Sequence, residues 1–172
     1  MNKYRNMLVV YAEDDAVKEL ADAFFCDARL DRSVVSIRSC KGWNDTCRTA
    51  LADNEIGFSR GRKILVVIDL DKDPDRINKL KEQPSLKSSK NRDAVFFLGW
   101  SGNVEQLKGS ANCAGKGFAK LGEKLVDDCL GGCVGIWQDT CFDSVRSDFP
   151  HLREKLLPLI FQSGTVTPMV SR

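Results

Sequence analysis

Two short stretches hold the side chains best suited to chemistry. Glu13, in Tyr11-Ala12-Glu13-Asp14-Asp15, closes one apolar run, and Asp69 and Asp71, in Ile68-Asp69-Leu70-Asp71, close another. One residue separates Asp69 from Asp71, so in extended backbone their carboxylates point to the same side. Asp73 and Asp75 continue the spacing but read as solvated turn acids, Asp75 favouring a helix N-terminus. Carboxylates gathered within a few ångströms raise one another's proton affinity unless a cation neutralises them. An all-oxygen donor set without a dedicated histidine suits Mg²⁺ or Mn²⁺, and Mg²⁺ is usually held by one or two carboxylates together with water and substrate phosphate oxygens.

For Glu13 to meet Asp69 and Asp71, the fold must return the chain to the same edge. The run Asn6 to Ala12 has strand length, and Glu13 to Leu30 places Val17, Leu20, Ala21, Phe24 and Phe25 at helical spacing. Ser33 to Arg38 reads as a second strand, Gly42 to Ala52 as a short helix and Asn54 to Gly61 as a loop. Lys63 to Asp69 is the clearest strand, with an uninterrupted apolar centre rich in β-branched residues, as a parallel strand buried on both faces requires. A helix through Ile77 and Leu80 follows Pro74, and Lys81 to Arg92 is an exposed connection. Ala94 to Leu98 makes a fourth strand, Gly99 to Gly102 a tight loop, Asn103 to Lys108 a helical turn and Lys116 to Leu130 an amphipathic helix. Cys133 to Trp137 reads as a weaker fifth strand, and His151 to Phe161 as a closing helix.

Alternating strands and helices predict an α/β fold of three layers, with a mostly parallel sheet of four to five strands flanked by helices. Residues 1–162 form one domain in this reading and 163–172 a C-terminal tail. In such a sheet, loops at the carboxyl ends of the strands carry the chemistry, which puts Glu13 and Asp69 at a common edge.

LVVYAEDD followed by ILVVIDLD resembles the Toprim domain shared by type IA topoisomerases, bacterial primases, small ribosomal-RNA maturases and nucleases of the overcoming-lysogenization-defect class. The likeness spans roughly the first hundred residues as an order of elements, and its motif is a Glu plus a D-x-D. Asp14 stands where a glycine often follows the Glu. The resemblance implies a Toprim/Rossmann-like sheet in which Asp69 and Asp71 hold the metal and Glu13 is a general acid or base or a further ligand. Glu105, after the fourth strand, would be a fourth acid at that edge, with a surface helix residue as the alternative. The implied chemistry is Mg²⁺-dependent phosphodiester hydrolysis of RNA or DNA, in phage defence or RNA processing. The only tyrosines, Tyr4 and Tyr11, lie at or within the first strand, which disfavours a topoisomerase, and a primase needs further domains.

Phosphates would be positioned by the basic stretch carrying Lys79, Lys81, Lys87, Lys90 and Arg92, and by Lys116 at a helix start. A solvated charged loop is the alternative. AEDD with Asp69 also resembles a two-component receiver, in which Asp69 is the phosphoacceptor and Ser101 the switch hydroxyl, but the fifth run CVGIW lacks a Lys-Pro ending. A non-catalytic Toprim-like binding module is the third reading. GSANCAGKG, residues 109–117, misses the P-loop spacing by one residue and has Gly117 in place of the hydroxyl.

A net charge of +2 from 26 basic and 24 acidic residues names no partner by itself. No apolar run approaches the roughly 20 residues of a membrane span, and no signal-peptide core follows Met1, so a cytoplasmic location is expected. The 7 cysteines are odd in number and show no disulfide spacing. Cys129, Cys133 and His151 offer only a weak zinc set without a C-x2-C pair. A homodimer or a partner protein stays open, as do the tryptophans Trp43, Trp100 and Trp137 as core or interface residues.

Overall fold

Apolar residues on both faces let a strand sit between two helical layers, and the described residues supply three such strands. The computed structural model describes residues 8–57, 62–70, 73, 75–83, 94–131 and 135–161. Strand β1 (Leu8–Ala12) is buried throughout, β3 (Lys63–Asp69) is buried at its five central residues, and β4 (Val95–Trp100) is buried except at Leu98. β2 (Val35–Ser39) becomes exposed toward its end, as an edge strand can. These four strands pair in parallel in the order β2-β1-β3-β4, with Val10 opposite Ile37 and Leu65, and Leu65 opposite Phe96.

Helix α1 (Asp15–Phe25) begins where the Asp14 carboxylate accepts the N–H of Val17 at 2.8 Å, and it buries Val17, Leu20, Ala21 and Phe25. α2 (Trp43–Gly57) links β2 to β3, and α3 (Arg76–Lys81) buries Ile77 and Leu80. α4 (Val104–Ser110) starts in a capping box made by Asn103 and Gln106. α5 (Phe118–Cys129) buries Leu121, Leu125 and Val126 and packs on α1. A 3-10 turn (Ile136–Gln138), a longer 3-10 segment (Thr140–Asp148), α6 (Phe149–Lys155) and α7 (Leu157–Ile160) complete the described chain.

The α/β architecture with a parallel sheet flanked by helices agrees with expectation, with differences at the ends of elements. β4 runs two residues further, through Gly99 and Trp100, because Gly99 lets the backbones close up: a Cβ there would meet the Ile68 carbonyl oxygen at 3.0 Å. α2 continues to Gly57 over part of the expected loop. No fifth strand stands among the described residues. Of the run expected to form one, Cys133 to Trp137, the first two residues lie outside the described residues, Gly135 is left-handed at φ 64° and Ile136–Gln138 is a 3-10 turn. Asp128 imposes that turn, its two carboxylate oxygens accepting the N–H groups of Gly135 at 2.8 Å and Trp137 at 2.9 Å. The basic connection after Gln83 and the tail after Phe161 lie outside the described residues. Among the described residues no helix is long and apolar enough to cross a membrane.

Candidate functional site

At the carboxyl end of β1 the ladder to β3 continues for one more residue, the N–H of Glu13 donating to the Val67 carbonyl at 3.1 Å. The next partner in a parallel ladder would be the Glu13 carbonyl, bonded to the N–H of Asp69. That carbonyl instead accepts the N–H of Gly42 at 2.9 Å, tying the turn before α2 to β1. The Glu13 side chain takes over the vacated role, Oε2 accepting the Asp69 N–H at 3.2 Å.

Arg76, the first residue of α3, reaches back across this junction. Its Nη1 donates to the Asp69 carbonyl at 3.0 Å and approaches Glu13 Oε1 at 3.5 Å, and its guanidinium lies 5.7 Å from the centroid of the Trp43 ring. The Arg76 and Glu13 side chains are only 21% and 13% exposed, so water screens this pair weakly. Cys47 stands one turn after Trp43 on α2. Burial, and secondarily the nearby Glu13 charge, push its thiol up to about 12.

The position of this cluster follows from topology. β1 connects to β2 on one side and the chain then returns to β3 on the other, so the order reverses between β1 and β3. In open parallel sheets the crevice outside such a switch point is where ligands bind. Glu13 closes one strand of that crevice and Asp69 the other.

Of the expected site residues, Glu13 and Asp69 are brought together, and the contact runs from the Glu13 carboxylate to the Asp69 backbone. Asp71, Lys87, Lys90 and Arg92 lie outside the described residues. Glu105 sits in the first turn of α4, its side chain 70% exposed and paired with Lys108 at 2.7 Å. Lys116 is exposed in the turn before α5. Lys79 pairs with Asp73 at 2.7 Å and Lys81 with Asp148 at 2.6 Å, so these two members of the basic stretch already have carboxylate partners. The Lys79 ammonium holds the Asp73 carboxyl below the usual range. Asp14 serves as the cap of α1, which leaves Glu13 as the acid turned toward β3.

His151 stacks on Phe96 with centroids 5.0 Å apart, and burial pushes the Cys129 thiol up to about 12, while Cys133 lies outside the described residues. Among the described residues no group of three His, Cys, Asp or Glu is gathered closely enough to hold a metal ion. The donors at the switch point are carboxylate and carbonyl oxygens, which fit a hard cation better than a soft one. Cys47 and Arg76 are not among the site residues expected from the sequence, and Trp43 is expected only as a core or interface residue. The only local signal for Arg76 is a basic residue heading the helix after the acidic loop.

Fold and edge together define a doubly wound parallel α/β domain with Glu13 and Asp69 at its β1/β3 switch point. No family model, curated protein or solved structure matches this chain.

Proposed function

We propose that the chain is a Toprim-like, Mg²⁺- or Mn²⁺-dependent phosphodiester hydrolase acting on RNA or DNA. The observation that carries this reading is the Glu13 carboxylate held against the end of β3 by the Asp69 N–H and Arg76. Asp69 and Asp71 would hold the cation, with Glu13 beside them as a further ligand or as the acid or base. When bound, the cation would polarise the phosphate and lower the pKa of the attacking water. Glu13 would take the proton of that water on a carboxylate oxygen or return it to the leaving oxygen. Arg76 would keep the Glu13 carboxylate oriented, and Lys116 would contact the phosphates of the bound strand.

The test is incubation of the chain with labelled RNA and DNA panels, with and without Mg²⁺ or Mn²⁺, beside the Glu13→Gln variant. Metal-dependent cleavage by the wild type and its loss in Glu13→Gln support the reading. Equal cleavage by both proteins, or none with any metal, counts against it.

A receiver-like phosphoacceptor role for Asp69 is the second reading, favoured by the strand order, which matches the first four strands of the flavodoxin-like order 2-1-3-4-5. Acetyl phosphate would label Asp69 in a receiver and leave a hydrolase unlabelled.

A further inference from the structure

A second feature lies on the sheet face covered by α1, α5 and the C-terminal helices. There a cleft of about 370 Å³ opens over Leu65, Val67, Leu98 and Trp100. Protein interiors pack with few voids larger than a water molecule, and this volume falls in the range of roughly 300–1,000 Å³ typical of small-molecule sites. Its walls are almost wholly apolar, with aromatic rings from Phe24, Trp137 and Phe149.

The few charged groups around the cleft are unequal. Asp128 has both carboxylate oxygens occupied by the N–H groups of Gly135 and Trp137. Arg146 is spent on Asp143 and on the carbonyls of Gln138 and Asp139. Arg153, in the last turn of α6, is exposed and has no carboxylate partner among the described residues. Its charge is nevertheless felt by the Cys129 thiol in the wall. An apolar cleft whose lining carries, among the described residues, one cation without a carboxylate partner is complementary to a molecule with an apolar body and a single anionic end.

We propose that this cleft binds an amphipathic carboxylate of the medium-chain fatty acid type, its chain lying against Phe24, Leu98, Leu125 and Phe149 and its carboxylate on Arg153. The site is on a different face from the Glu13 contact and does not rest on the hydrolase reading. Trp100, which lines the cleft, has a buried indole N–H with no hydrogen-bond acceptor among the described residues.

Decanoate titrated into the full chain, followed by calorimetry and by tryptophan fluorescence, tests this directly, with decanol as the uncharged comparator. Saturable binding at one site per chain is expected. Arg153→Glu removes an attraction and adds a repulsion at an exposed position, so it should weaken decanoate by about tenfold and leave decanol within about twofold. Leu98→Trp, which fills the cleft, should abolish binding of both in a protein that circular dichroism shows to be folded. Absence of saturable decanoate binding to the wild type overturns the proposal. So does an Arg153→Glu variant that binds decanoate as the wild type does or loses both compounds equally.

Discussion

The Glu13 carboxylate accepts the N–H of Asp69 at 3.2 Å, doing for the β1/β3 ladder what a backbone carbonyl does elsewhere in the sheet. Gln at position 13 keeps an acceptor and loses the charge, whereas Ala leaves the Asp69 amide without its partner. In urea unfolding, Glu13→Ala should lose about 2 kcal/mol and Glu13→Gln about half as much. On the proposed hydrolase reading, both should lose metal-dependent cleavage. A folded, inactive Gln variant assigns Glu13 a chemical role, and a Gln variant with full activity confines it to the ladder.

Arg76 combines three interactions that lysine cannot reproduce together: the Asp69 carbonyl, the Glu13 carboxylate and the face of Trp43. The planar guanidinium can stack and donate in one geometry, while an ammonium is a compact, strongly hydrated charge. Arg76→Ala should cost about 2 kcal/mol and Arg76→Lys about 1 kcal/mol, read from thermal unfolding. A Lys variant as stable as the wild type would show that stacking on Trp43 contributes nothing.

Cys47 reports on the same charge. The thiolate is the reactive form, and the Glu13 charge adds to burial in suppressing it. Removing that charge therefore lowers the Cys47 pKa and raises its thiolate fraction. At about pH 8, alkylation mapped by peptide mass should reach exposed Cys26 first among the described cysteines and leave Cys47, Cys129 and Cys141 slow. In Glu13→Gln, Cys47 should react faster while Cys129 and Cys141 keep their rates. An unchanged Cys47 rate would mean that burial alone sets it.

What the sequence makes legible is whatever local pattern determines. β3 is an unbroken apolar run ended by Asp69, and the structure keeps those bounds. The Glu13 and Asp69 edge follows from strand-helix alternation, because parallel crossovers put successive strand ends on one side. Arg76 is invisible by the same logic: it meets a carboxylate 63 residues away, and nothing in its neighbours encodes that. Gly99 and Trp100 read as a loop because glycine is a poor strand former, yet the close approach of β3 demands it there. The expected fifth strand is absent from the described part of its run, Gly135 to Trp137, where Asp128, on a different element, captures two backbone N–H groups. The cleft is illegible for a related reason, since it is space left between elements whose apolar faces each look like ordinary core.

Stability lost in acid should trace to carboxylates held below their ordinary range, because folding has lowered their proton affinity. Asp27 is one, its carboxyl lowered chiefly by hydrogen bonds from the Arg29 side chain, which also reaches Asp127. Asp139 is another, lowered first by the N–H of Cys141. A carboxyl depressed in the folded state stabilises the fold above the unfolded-state pKa, and that contribution fades as pH falls through the folded value. Stability from these groups should therefore be level from about pH 7 to pH 5 and decline below about pH 4. Asp27→Asn should be less stable than the wild type near neutrality and converge with it in acid, as measured by urea unfolding across that range. Parallel curves at every pH would exclude Asp27 from the acid response.

Gly122 decides how closely the two helices on one face of the sheet approach each other. It is buried on α5, and a Cβ there would lie 2.5 Å from the Ala23 carbonyl carbon and 2.7 Å from both the Ala23 oxygen and the Phe24 nitrogen of α1. Those are backbone atoms within a helix, which no rotamer change can move aside. Alanine in a helix interior gains about 1 kcal/mol over glycine by intrinsic propensity, so a free helix would be stabilised by Gly122→Ala. Overpacking opposes it at about 1–3 kcal/mol, and rigid backbone on the far side puts the penalty at the upper end of that range. The net expectation is destabilisation by about 2 kcal/mol in chemical denaturation, with α1 and α5 pushed apart and the cleft between them reshaped. Leu121→Ala, which opens space at the neighbouring fully buried position without forcing the backbones apart, should also destabilise, by about 2–5 kcal/mol. A Gly122→Ala variant more stable than the wild type would mean that helix propensity, and not the contact with α1, selects the residue at this position.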